Sequence, residues 1–128
     1  MNWSLQIFLL ISACIPRGKS AEITRKSGTV TCYVCRADFS NGFNLTDACF
    51  IPRKDSGDLT TCSPNSNFCQ ADVVRVMGVL LYLERRCAIN CGHTCISKSY
   101  GATQETCTYC CDNKPDCGLE EDQAKRHH

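Results

Sequence analysis

No stretch of this 128-residue chain reaches the roughly 20 consecutive apolar residues that a membrane-spanning helix needs. Charge of one sign is also scarce: 14 basic residues face 13 acidic ones, a formal net charge of +1. That balance gives no electrostatic reason to expect nucleic acid or an anionic membrane as partner, and it argues against a membrane-lytic mode. Histidine is rare, and only His93 lies away from the C-terminus. A hydrolytic triad needs a histidine base, oriented by a carboxylate, beside a nucleophile. The neighbours of His93 are cysteines and the carboxylates are scattered, so no catalytic residue is assigned. Neither a phosphate-cradling glycine loop nor an internal repeat nor a low-complexity segment is found. Enzymatic activity and a bound cofactor are therefore not expected.

What the chain has in abundance is cysteine: 13 residues, a density that marks a disulfide scaffold in a secreted protein. Whether that reading applies depends on the first 20 residues. Trp3 to Ile15 (WSLQIFLLISACI) is apolar and uncharged, too short to span a bilayer but suited to the apolar region of a secretory signal peptide. Small residues offer cleavage after Ser20, with Gly18 at −3, or after Cys14, with Ser12 at −3; the first is favoured. Ile11-Ser12-Ala13-Cys14 has the form of a bacterial lipoprotein site, but no Lys or Arg precedes it. Losing Cys14 leaves an even set of 12 cysteines from Cys32 to Cys117, as complete pairing in an oxidising compartment requires. No apolar tail follows Cys117, so a lipid anchor is not expected and the mature protein is read as secreted and extracellular.

Strand signals dominate the framework. Thr29 to Cys35 is rich in β-branched and aromatic residues and reads as a strand. Ser40-Asn41-Gly42 and Asp55-Ser56-Gly57-Asp58 are turn clusters. Val73–Val76 and Val79–Leu83 form two arms around Met77-Gly78, a hairpin by its central glycine and valines, although Leu80 to Glu84 favours helix locally. Another hairpin is expected from about Thr94 to Tyr109, turning at Ser99-Tyr100-Gly101-Ala102. The reading divides the chain into a signal peptide (1–20), a lead-in (21–30), an all-β disulfide-rich domain (31–118) and a disordered charged tail (119–128). A core of such short strands is small and needs its disulfides.

The order is Cys32-x2-Cys35-x13-Cys49-x12-Cys62-x6-Cys69-x17-Cys87-x3-Cys91-x3-Cys95-x11-Cys107-x2-Cys110-Cys111-x5-Cys117. Neighbouring side chains on a strand point to opposite faces, so Cys110 and Cys111 should bond different partners: one back into the preceding hairpin, the other to Cys117. The opening Thr31-Cys32-Tyr33-Val34-Cys35 and the closing Cys110-Cys111-Asp112-Asn113-Lys114-Pro115-Asp116-Cys117 resemble the first-strand and C-terminal signatures of the three-finger family, that of lymphocyte antigen 6, the urokinase receptor and snake neurotoxins. The resemblance implies three hairpin loops radiating from a disulfide-rich base. One departure is Gly118, where the family usually has an Asn that tethers the base of the fingers.

Carried over by order, the resemblance implies Cys32–Cys69, Cys35–Cys49, Cys62–Cys87 and Cys111–Cys117, with Cys91 or Cys95 bonded to Cys110. Two cysteines exceed the family's usual ten. Nesting within an antiparallel hairpin suggests Cys91–Cys110 and Cys95–Cys107, one of on the order of ten thousand pairings that 12 cysteines allow. The resemblance further implies a secreted binding protein that presents its tips to a membrane receptor, nicotinic receptors among them, to an ion channel or to another extracellular protein. A structural or assembly factor acting on a membrane partner in the secretory pathway is an alternative.

A zinc protein is a third reading, because Cys32-x2-Cys35 and Cys107-x2-Cys110 have ligand spacing and His93 lies between Cys91 and Cys95. The presequence speaks against it, and no metal ligand is assigned. Asn44-Leu45-Thr46 is an acceptor for N-linked glycan. The candidate partner-binding residues are Arg75, Val76, Met77, Gly78 and Val79, an apolar tip where a free loop should be polar, together with Tyr100 on the third tip. The competing explanation is that these side chains pack on a neighbouring finger or on a second copy.

Overall fold

Segments rich in β-branched and aromatic residues fold as strands that pair into two antiparallel sheets, with hairpins turning at Met77-Gly78 and at Tyr100 to Ala102. In the computed structural model the described residues are 29–127; the presequence and nearly all of the 21–30 lead-in lie outside them. The elements are β1 (Thr31–Tyr33), β2 (Cys35–Asp38), β3 (Leu59–Thr61), β4 (Phe68–Val76), β5 (Val79–Ala88), β6 (Thr94–Ser99), β7 (Thr103–Cys111) and α1 (Leu119–Arg126). β1 and β3 form a two-stranded antiparallel sheet, and the other five strands form a second in the order β2-β5-β4-β7-β6. The domain is thus a small disulfide-rich all-β fold with one short helix.

The segment read as one strand from Thr29 to Cys35 is two. The chain leaves β1 at the exposed Val34, whose N–H donates to the Asp58 carbonyl (2.8 Å), and enters the other sheet as β2. Partner choice causes the break: β1 pairs with β3, whereas β2 pairs with β5. The hairpin arms around Met77-Gly78 do pair as strands, with Val76 opposite Val79. Between Val74 and Arg75 the register slips by one residue, leaving Leu81 unmatched. The bulge turns its carbonyl toward the first loop, where it accepts from the Phe39 N–H (2.8 Å).

Six disulfides join Cys32–Cys69, Cys35–Cys49, Cys62–Cys87, Cys91–Cys110, Cys95–Cys107 and Cys111–Cys117, the pairs set out above. Cys110 and Cys111 do bond in different directions along β7. Half of the buried core is half-cystine; the rest centres on Ala37, Phe39, Ala71, Val73, Leu80, Leu83 and Tyr109. So little aliphatic volume explains the need for cross-links, each contributing about 2–4 kcal/mol.

The charged tail is corrected by the structure: residues 119–126 are helical and docked, not disordered. Acidic residues Glu120, Glu121 and Asp122 occupy the first turn and basic Lys125 and Arg126 the last, complementing the helix dipole. The Glu121 carboxylate reaches back to accept the Gly118 N–H (2.7 Å), one half of a capping box. High charge suggested disorder, but here the charges are arranged for a helix and find partners on the sheet.

Candidate binding surface

Sequence-singled residues 75–79 form the end of the β4–β5 hairpin. Met77 and Gly78 have φ of 52° and 81°, so both central residues are left-handed, as a two-residue type I′ turn requires. Glycine adopts that conformation without penalty, and Asn or Asp with little; methionine is a strained choice. Its side chain is nonetheless 70% exposed, and Val79 beside it 63%. The turn is held in place, since the Met77 N–H donates to the Thr103 carbonyl (2.8 Å) and Arg75 Nη1 to the Gly78 carbonyl (3.2 Å). The first of these bonds also sets the third hairpin's turn alongside, where Tyr100 is 89% exposed.

An open groove of about 350 Å³ runs beneath this tip, lined by Phe43, Phe50, Arg75, Gly78, Val79, Leu80, Leu119 and Gln123. Its floor on the first loop is aromatic: Phe43 lies 4.9 Å from Phe39 and 5.1 Å from Phe50, ring centre to ring centre. Asp47 shapes that loop by accepting the N–H groups of Cys49 (2.8 Å) and Phe50 (3.3 Å). Three elements distant in sequence therefore share one apolar surface: the first loop, the second hairpin and α1. Of the candidate residues, Arg75, Gly78 and Val79 line it, Met77 is exposed next to Gly78 and not part of the lining, Val76 is half-buried between its strand partners, and Tyr100 is on the adjoining tip.

Arg75 is not a free cation at the tip. Its Nε and Nη2 donate to Asp122 Oδ2 at 3.0 and 2.6 Å. Asp122 has no exposed surface, and its other oxygen accepts the Tyr109 hydroxyl at 2.7 Å, while Arg126 adds a bond of 3.1 Å from the helix itself. Burial works to raise the Asp122 pKa, but the bonds from Tyr109, Arg126 and Arg75 outweigh it and hold the carboxyl below its ordinary value. For Tyr109, burial and the neighbouring carboxylate both push the phenol's pKa up, so it stays a donor. With its folded value depressed, Asp122 contributes stability in full above its unfolded pKa of about 3.9 and loses it as pH falls through the folded value. Melting curves taken from pH 6 down to pH 2 are expected to steepen in the acid limb for the wild type and to flatten there in Asp122→Asn; equal acid limbs would refute the assignment.

A second buried charge ties the base together. Arg85 is 3% exposed; its Nε donates to the Cys49 carbonyl (3.0 Å) and its Nη1 to the Cys117 carbonyl. Burial lowers its pKa, opposed by the more distant Asp116 and Glu121. Gly118 follows Cys117 with φ of 130°, and a Cβ placed on it would lie 2.5 Å from the Ala71 Cβ. Neither Arg85 nor Asp122 was singled out in the sequence. For Arg85 the signal existed: Leu83, Arg85 and Cys87 alternate onto one face of β5. For Asp122 the signal was only the charge order of the helix, which says nothing of its partner 47 residues away.

The zinc spacings resolve into separate cross-links. Cys32 and Cys35 bond to Cys69 and Cys49, and Cys107 and Cys110 to Cys95 and Cys91, so none of these sulfurs is a free thiolate. His93 Nδ1 accepts the Cys110 N–H at 3.4 Å. Asn44 is exposed on the first loop, where its Oδ1 accepts from the Thr46 N–H (3.0 Å) and hydroxyl (2.7 Å). No family model, curated protein or solved structure matches this chain.

Proposed function

We propose that the chain is a three-finger domain of the lymphocyte antigen 6, urokinase receptor and snake neurotoxin type, secreted, glycosylated at Asn44 and non-enzymatic, and that it binds a membrane receptor or ion channel through the tip of its second hairpin. An all-β fold of two antiparallel sheets, six disulfides and the cysteine order support the family reading. Gly118 in place of the family's Asn is compatible with it, because Arg85 supplies bonds to the Cys49 and Cys117 carbonyls at the base.

One observation carries the binding reading: Met77 holds an exposed apolar side chain in a left-handed turn position where folding alone would favour Gly or Asn. Local strain at an exposed residue is retained where a contact made there is useful. The rigid turn lowers the entropy lost on binding, and the groove offers adjoining apolar area.

The test separates binding from folding. Met77→Asn is expected to leave the melting temperature equal or raised, since it relieves strain of about 1 kcal/mol. The same substitution should weaken binding of the fluorescently labelled mature protein to cells displaying nicotinic receptors or other ligand-gated channels by roughly tenfold or more. Unchanged binding by Met77→Asn and Val79→Asp alike would overturn the reading. A wild type that binds no such cell, and that sediments as a dimer dissociated by both substitutions, would replace it with self-association.

A further inference from the structure

Cys95 differs from the other half-cystines of the described residues. It lies on β6, an edge strand of the larger sheet that is exposed at every residue, whereas each of the others is buried or half-buried. Its partner Cys107 stands directly opposite in register on β7 and is 1% exposed. The Lys125 ammonium, carried on α1, lies 2.9 Å from Cys95 Sγ and 3.1 Å from Cys107 Sγ. Glu105 holds that ammonium from the other side at 3.3 Å. The same hairpin is also closed by Cys91–Cys110, nearer the base, so the loop does not depend on Cys95–Cys107 for its closure.

We propose that Cys95–Cys107 is a thiol–disulfide exchange site whose partner is a dithiol reductant of the thioredoxin class, with Lys125 positioned to stabilise the departing thiolate. The incoming thiolate attacks Cys95 Sγ, the sulfur on the exposed strand. A mixed disulfide forms as the Cys95–Cys107 bond breaks, and the electron pair of that bond passes to Cys107 Sγ beside the Lys125 ammonium. The partner's second thiolate then attacks its own sulfur in the mixed disulfide, closing the partner's disulfide and releasing Cys95 as a thiolate. Two electrons and the two dithiol protons pass to this chain; the partner is oxidised by two electrons. Rates of such exchange follow access to the attacked sulfur and the stability of the leaving thiolate. Cys95 supplies the first and Lys125 the second. The consequence is an outer arm of the third hairpin that, beyond the Cys91–Cys110 cross-link, is held to β7 by its ladder, and this holds whatever the tips bind.

The experiment incubates the folded, fully oxidised protein with a thioredoxin-type dithiol, quenches with an alkylating agent at intervals and maps the labelled cysteines by mass spectrometry. Cys95 and Cys107 are expected to be labelled first and together, with the other five disulfides intact. A reductant lacking its second cysteine should be trapped on Cys95. Lys125→Met should slow the reaction roughly three- to tenfold, while Glu105→Gln, which keeps the ammonium and removes its competing carboxylate, should react as fast or faster. First labelling at another pair, simultaneous loss of all six, no reaction, or trapping on Cys107 would overturn the proposal. So would acceleration by both variants alike, because that would trace the rate to a loosened α1.

Discussion

Replacing Gly118 with alanine is expected to lower the unfolding free energy by roughly 3–5 kcal/mol, with all six disulfides still able to form. Two penalties combine. The added Cβ would sit 2.5 Å from the Ala71 Cβ, a methyl on a central strand that cannot rotate away, and 3.9 Å from Leu83 Cδ1. A φ of 130° adds backbone strain that no L side chain adopts easily. Relief would require α1 to lift from the sheet, which would pull the Cys117 carbonyl from Arg85 and Asp122 from Tyr109. Chemical denaturation with disulfides intact measures the loss. Gly78→Ala, where the open turn has no atom within 4 Å of an added Cβ, is the control and should cost only the strain of positive φ, about 1 kcal/mol. Equal losses at the two positions would show that close packing at Gly118 is not the cause.

Asp122→Ala is expected to cost about 3–5 kcal/mol, the range for removing one partner of a buried ion pair. Its carboxylate is the shared acceptor for Arg75, Tyr109 and Arg126, so its loss strands a phenol and a largely buried guanidinium at once. The effect should be strongly non-additive: Asp122→Ala combined with Arg75→Met should be less damaging than the sum of the two. Hydrogen exchange would locate the damage, with α1 amides losing protection before those of β4 and β5. A loss below 0.5 kcal/mol, or exchange unchanged in α1, would mean that the helix is held by Leu119 and the Lys114–Glu121 pair instead.

The legible parts of this protein were local. Met77-Gly78 between valine-rich arms specified a hairpin because a two-residue turn with positive φ is written in glycine and its neighbours. The turn around Tyr100-Gly101 was visible for the same reason, and the adjacent Cys110-Cys111 had to diverge because a strand alternates its faces. β3 left no such mark: Leu59-Thr60-Thr61 is exposed throughout, without alternation, and is a strand only because β1 pairs with it. Charge density hid α1, since Leu119 to Arg126 has almost no apolar face, and its stability comes from acceptors and donors on β4 and β7.

By itself, then, the sequence determined the all-β class of the fold, an even set of 12 cysteines available to cross-link a small core, the divergence of Cys110 from Cys111, and the apolar second tip. Each follows from residue type and spacing within a few positions. Which other cysteines pair was implied only by the family resemblance. Tertiary structure alone decided that Arg75 is bonded to Asp122, that Arg85 binds the base, that a Cβ at Gly118 would meet Ala71, and that Lys125 lies against one exposed disulfide. Those are contacts between segments tens of residues apart, and a side chain's partner is set by where the backbone brings it, which no local pattern encodes.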